Sequence, residues 1–207
     1  MPKRILYFII FCILLTLTTS CANRMTEVKT RLTYGNFSIL PPEPKGWYYL
    51  GSYDNGTGGK FGAILVKQKD KPAIEKSYIV SVMLQNSDGV KAITGLNSIE
   101  SEESFKKAVE KEIAISDAAQ GMDRVNVKNH LFLVKKIMGT VCIYRDFKGL
   151  DKKHYNSEMT MIGYTCKHPK YHDDLIDIAV SIRSMESIPS KETENILEKI
   201  MKTLIFK

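Results

Sequence analysis

MGTVCIYRDF (138–147) and EMTMIGYTCK (158–167) are the two stretches on whose reading the fold turns. Both are rich in β-branched, aromatic and sulfur-bearing residues, and the segment between them, KGLDKKHYNS (148–157), is polar. They read as two strands and a connecting loop. Paired antiparallel with Cys142 opposite Cys166, they place Tyr144 opposite Tyr164 and Asp146 opposite Ile162. The tyrosine pair is a favourable cross-strand contact. Directly opposed cysteines can meet the distance limits of a disulfide, best at a non-hydrogen-bonded pair. Closing that loop stabilises a fold by roughly 3 kcal/mol in the chain-entropy model. The expectation is a structural disulfide between Cys142 and Cys166. Two buried thiols or a redox pair are the alternatives, and the lack of a C-x-x-C motif weighs against the redox pair.

Strand signals continue on both sides. VNVKNHLFLVKKI (125–137) precedes the pair, and LIDIAVSIRS (175–184) follows it with Ile176, Ile178, Val180 and Ile182 on one face. Toward the N-terminus, NFSIL (36–40) is a short strand and PPEPKG (41–46) a proline-led turn. WYYLGSYD (47–54) and FGAILVKQ (61–68), joined by NGTGGK (55–60), suggest a hairpin, and SYIVSVMLQN (77–86) alternates as a further strand. Between these groups the period changes. Ser101 can cap a helix, Glu102 and Glu103 suit its first turn, and Phe105, Ala108, Val109 and Ile113 recur at helical spacing to about Gln120 and Gly121. A last helix starts after Pro189, with Ser190 as its candidate cap and a stripe of Ile196, Leu197, Ile200, Met201 and Leu204. The order implies an α+β fold: a largely antiparallel β-sheet packed with two main helices, as one domain over 36–207.

The chain opens MPKRILYFIIFCILLTLTTSC (1–21). Lys3 and Arg4 precede an uncharged apolar run, Ile5 to Leu17, and then Thr18, Thr19 and Ser20, which is the layout of a secretory signal. Small residues before a cysteine, after a leucine-rich run, resemble the lipobox of bacterial lipoproteins, with Thr18 standing where leucine is commonest in that family. The resemblance implies a signal peptide over 1–20, cleavage before Cys21, and acylation of Cys21 by diacylglyceryl and palmitate-like chains. It implies a lipid-anchored protein of the bacterial cell envelope. With Ala22 and not aspartate after the cysteine, it implies the outer membrane facing the periplasm in a Gram-negative host. Several acyl chains anchor firmly, at about 0.8 kcal/mol per buried methylene. Residues 21–35 then read as lipidated cysteine and tether.

Charge and motifs narrow the chemistry. The net charge is +7, but the basic residues are scattered (Lys67, Lys69 and Lys71; Lys135 and Lys136; Lys152 and Lys153), with no long aromatic-interleaved run, so no nucleic-acid partner is expected. DNGTGGK (54–60) lacks the phosphate-loop pattern and reads as a hairpin turn. In CKHPKYHDD (166–174), His168 and His172 with Asp173 or Asp174 are metal-ligand types, but Pro169 and the preceding strand place them in a loop, where helical spacing carries nothing. A polar surface loop is the plainer reading. His130 falls within a strand and His154 in a loop. Trp47, Tyr48, Tyr49 and Tyr53 read as sheet core, or alternatively as a partner surface. No catalytic residue and no cofactor is assigned.

FSILPPEPKGW (37–47), a capped central helix after a hairpin sheet, and IAVSIRSM (178–185) before the last helix together resemble the PsbP-like α/β sandwich domains. That resemblance implies an accessory or binding role and no shared reaction. The expected function is a membrane-anchored envelope lipoprotein that binds an envelope protein or a cell-wall component. The alternative is a metal-assisted hydrolase using the His168/His172/Asp173 loop.

Overall fold

The later strands assemble into one large sheet whose two faces are covered differently, so β10 is buried on both sides from Leu175 to Val180. The computed structural model describes residues 26–51, 61–67, 76–119, 125–152 and 156–207. Cys21 and its leader, the NGTGGK turn, Tyr53, the helix end at Gln120–Gly121 and His154 lie outside the described residues. The strands are β1 (Thr26–Glu27), β2 (Leu32–Tyr34), β3 (Phe37–Ile39), β4 (Trp47–Gly51), β5 (Phe61–Lys67) and β6 (Lys76–Asn86), then β7 (Val125–Ile137), β8 (Thr140–Asp151), β9 (Ser157–Lys167), β10 (Asp174–Ser184) and β11 (Ile205–Phe206). The helices are α1 (Ser87–Thr94), α2 (Glu102–Ala119) and α3 (Ser190–Thr203).

Eight strands form an antiparallel sheet in the order β1-β4-β5-β6-β10-β9-β8-β7, and three form a small sheet in the order β11-β3-β2. The fold is α+β, as the element order implies. One face of the large sheet carries Val80, Val82, Ile176, Ile178, Val180 and Ile182. It is covered by Ile196, Leu197 and Ile200 of α3 and by Phe37 and Ile39 of the small sheet. The other face meets α1 and α2 through Val90, Phe105, Val109 and Ile113, packed on Ile143 and Leu175. The layers are therefore helix pair, large sheet, and helix with small sheet.

The central hairpin has the register expected for it: Cys142 faces Cys166, Tyr144 faces Tyr164 and Asp146 faces Ile162. A disulfide joins Cys142 and Cys166, whose Cα atoms are 4.0 Å apart. That close spacing belongs to a non-hydrogen-bonded antiparallel pair. Both cysteines are fully buried on the α3 face. Ser101 caps α2, its Oγ accepting from the Ser104 N–H at 3.0 Å. The apolar stripes of α2 and α3 are buried as their spacing requires.

Three local features depart from the sequence expectation. Residues 26–35 do not form a tether: β1 pairs with β4, β2 pairs with β3, and Val28 is buried beside Trp47, so burial and backbone pairing outweigh the polar composition. Ser190, the candidate cap of the last helix, does not occupy the cap position. It is the first residue of α3, and Pro189 precedes it at the cap position with no side-chain cap bond. Helix α1 was not anticipated. It spans only two turns and contains Gly89, but Asn86 Oδ1 accepts from the Asp88 N–H at 2.8 Å and Gly95 ends it at φ 65°.

Replacing both Cys142 and Cys166 with alanine should lower the unfolding free energy by about 3 kcal/mol, the loop-closure value for a cross-link of this span. Urea denaturation monitored by far-UV circular dichroism measures it, and an unchanged midpoint would show that the bond contributes nothing to stability.

Candidate functional site

Strand β9 decides what the helix pair covers. Gly163 stands opposite both Arg145 on β8 and Ala179 on β10. A Cβ at Gly163 would lie 2.5 Å from the Ile178 carbonyl oxygen, so this position admits no side chain without backbone movement. The bare position lets Arg145 reach across β9. Its Nη2 donates to Asp177 Oδ2 at 2.7 Å, and Thr165 Oγ1 donates to Asp177 Oδ1 at 2.8 Å. Both ion-pair partners are buried. Above them Gln85 Nε2 donates to Glu112 Oε1 on α2 at 2.7 Å. Burial and the Asp177 carboxylate push the Glu112 carboxyl up to about 7, against the pull of Arg145. This polar inset is sealed beneath α2 and ties that helix to the sheet.

The opposite face carries the open site. Helix α3 covers β9 and β10 but leaves the β8–β7 end of the sheet bare. Between them lies a groove of about 680 Å³. Tyr144, Tyr164 and Ile162 form its floor, Leu197 and Met201 of α3 one wall, and Ile137 with Met138 the other end. Its volume lies within the ordinary range of ligand-binding clefts. The tyrosine rings sit 5.3 Å apart at 54°, two residues along from the disulfide that pins their strands. Burial, then the Asp146 and Glu194 carboxylates, raise the Tyr144 hydroxyl to about 12, and burial with Glu198 and Glu194 raises Tyr164. Both hydroxyls are therefore neutral donors at ordinary pH. The rim carries both signs: Glu194, Glu198 and Lys202 on α3, and Lys135, whose Nζ lies 5.2 Å from the Tyr144 ring centre.

Met138 marks the mouth. It and Gly139 have φ of 52° and 78°, so the β7–β8 connection is a two-residue turn with both central residues left-handed. A side-chain-bearing residue other than asparagine or aspartate is disfavoured there by about 1–2 kcal/mol. Met138 is 55% exposed, and Leu131 and Leu133 on the adjacent strand are 41% and 40% exposed.

The metal-candidate side chains are not brought together. His168 is not on a polar surface: it is 1% exposed. Its Nδ1 accepts from the Lys170 and Tyr171 N–H groups at 3.1 and 3.0 Å, so the ring proton sits on Nε2, which donates to the Asn36 carbonyl at 3.0 Å. Neither nitrogen is left for a metal. His172 and Asp173 are exposed, and Asp173 Oδ1 accepts from Ser87 Oγ at 3.2 Å. Among the described residues no three His, Cys, Asp or Glu side chains converge on a possible ion. Trp47 is core, and Tyr49 packs at its margin.

No protein-family model and no curated protein sequence matches the chain. Among solved structures it is similar to cyanobacterial PsbP (CyanoP) from Synechocystis sp. PCC 6803, with 15% identity and a TM-score of 0.48 over 91% of this chain and 98% of that one. It is also similar to LpqN of Mycobacterium tuberculosis, described as involved in cell envelope biogenesis (11% identity, TM-score 0.46, 88% and 91% covered). A third similar structure is a point mutant of the protein Mog1 (10% identity, TM-score 0.43, 88% and 96% covered). These are likenesses of fold outline, and none transfers a role.

Glu112 sets a pH dependence. Its folded-state pKa is raised from 4.5 to about 7, so the stability linked to its neutral form is present below about pH 4.5 and is lost as pH rises toward 7. Glu112→Gln keeps an acceptor for Gln85. It should therefore be more stable than the native chain at pH 8, by up to about 3 kcal/mol, with the difference vanishing near pH 4. Thermal melts of both proteins across that range measure it, and parallel curves would show that Glu112 is ionised at no cost.

Proposed function

We propose that this chain is a lipid-anchored envelope lipoprotein, acylated at Cys21, whose folded part is a binding module that docks another envelope protein in the groove between α3 and the β8–β7 end of the sheet. The observation that carries the reading is the groove. It combines an aromatic floor, methionines at wall and mouth, and charge confined to the rim, which is the composition of a protein-docking surface.

The leader supports the address, and the topology supports the orientation. Four residues separate Cys21 from Thr26, so five chain steps give a reach of at most about 18 Å. Thr26 begins β1, at one edge of the large sheet, and the groove lies toward the other. Eight strands span about 33 Å between those edges. An anchor at Cys21 holds the β1 edge near the bilayer and leaves the β7 end free to meet a partner. Among the described residues no helix is long and apolar enough to cross a membrane.

Two substitutions test the two halves separately. Cys21→Ala should abolish lipid labelling and release the domain or leave uncleaved precursor; a mutant that stays labelled and mature removes the anchor. Met138→Asn should raise stability by about 1 kcal/mol, because asparagine suits the left-handed turn position, while weakening site-specific photo-crosslinking from position 201 in intact cells. A stabilised variant with undiminished crosslinking would remove the groove.

A further inference from the structure

Strand β7 is thirteen residues long and ends the sheet order, so β8 is its only strand partner among the described residues. The alternation of antiparallel pairs fixes which of its amides face outward. Cys142 and Cys166 form a close, non-hydrogen-bonded pair, so the N–H and C=O of Cys142 turn the other way, toward Lys135 of β7. Lys135 and Leu133 therefore spend their backbone groups on β8. Phe132, Val134 and Lys136, one residue out of phase, present theirs to the open edge. A bulge at Val127–Asn129 interrupts the ladder and confines the regular edge to the part after it.

Charge selects the occupant. The sequence VNVKNHLFLVKKI holds three lysines and no acid, and Lys128, Lys135 and Lys136 are exposed. The carboxylates on this side are Glu102 of α2, 3.5 Å from Lys136 in an exposed pair, Asp146 across the ladder from Leu131, and Glu194 and Glu198 on the α3 rim of the groove. Pairing with a second copy of β7 would gather six lysines on one seam, the arrangement that keeps natural edges apart. Lys135 shares the face of Leu131 and Leu133, and Lys136 lies on the other, so an extended segment with its acids on one face would meet Lys136 while its alternate apolar side chains meet Leu131 and Leu133 beside the groove.

We propose that the partner docks by strand addition: an extended, acidic segment with alternating apolar residues pairs with the outer edge of β7 at Phe132–Lys136. This rests on the reading of the β8–β7 end as the docking end and specifies the chemistry of what binds there.

The test uses defined peptides on the folded protein. A capped peptide alternating glutamate and valine over nine residues is titrated against its lysine–valine counterpart and a glutamate–valine version carrying two prolines. Backbone amide NMR follows binding and hydrogen exchange. The acidic peptide should bind at least tenfold tighter than either control and slow exchange at Phe132, Val134 and Lys136. Val134→Pro, which removes an outward N–H and leaves the β8 ladder intact, should abolish that binding. Lys128→Glu with Lys136→Glu, which leaves both the groove and the backbone edge unaltered, should invert the charge preference. Equal binding of the three peptides, no protection of those amides, or indifference to both variants overturns the proposal. Protection without peptide that scales with protein concentration overturns it in favour of a second copy. Because no readout involves Cys21, Met138 or Met201, loss of the anchor or groove reading is distinguishable from loss of this one.

Discussion

The structure depends on the register of β8 against β9. Side chains alternate faces along a strand, so a slip of one residue would exchange every inward and outward position. In the observed register, Cys142, Tyr144, Cys166 and Tyr164 lie under or beside α3, and Ile143, Arg145 and Thr165 lie under α1 and α2. A slipped β8 would drive Arg145 into an aliphatic face and turn Tyr144 onto the face that meets Phe105. The disulfide forbids that slip covalently, and the tyrosine pair reinforces the same alignment. Strand β10 inherits the register through β9, and β6 through β10, so the groove and the polar inset have one origin.

The two faces use that register differently. The α3 face is a conventional aliphatic core, where burial of each large side chain contributes about 1.5–3 kcal/mol. The α2 face includes the Arg145–Asp177 pair within its apolar surroundings. A buried pair of this kind rarely adds net stability over a hydrophobic substitute, but removing one partner costs about 3–5 kcal/mol. It therefore acts on specificity: only one sheet order brings Arg145 across a bare Gly163 to Asp177. Glu112 then places a third ionisable group against the pair, and the raised pKa records the cost of confining its charge there.

Much of this was legible in the sequence because it is local or period-two. The cysteine and tyrosine pairings follow from matching two strands, and the buried stripes of α2 and α3 follow from helical spacing. The Ser101 cap follows from hydroxyl chemistry. Other parts depend on tertiary placement and were not legible. Residues 26–35 look polar, yet Val28 and Leu32 each find an apolar neighbour and the backbone finds strands to pair with. His168 sits beside a proline and charged residues in sequence but is enclosed by Asn36, Tyr171 and Phe206. The groove combines residues of β7, β8, β9 and α3, which no spacing rule connects. The polar inset did leave a trace: Arg145 and Asp177 occupy inward positions of otherwise apolar strands, a pattern that calls for a partner.

The open end is a consequence of coverage. A helix with side chains is about 10–12 Å across, hence about two strands wide. Helix α3 over β9 and β10, and the small sheet beside it, cover the middle of an eight-stranded sheet and cannot also reach β7. Natural sheets protect such an end by shortening the strand or charging it. Here the strand is long, and lysines and a bulge are the protection it has. Leucines 131 and 133 nevertheless remain among those lysines, and Met138 keeps a disfavoured backbone conformation at the adjoining turn. A surface selected only for solubility would replace all three at no cost to the core. Their joint presence beside the tyrosine floor is what the proposed docking at this end of the sheet rests on.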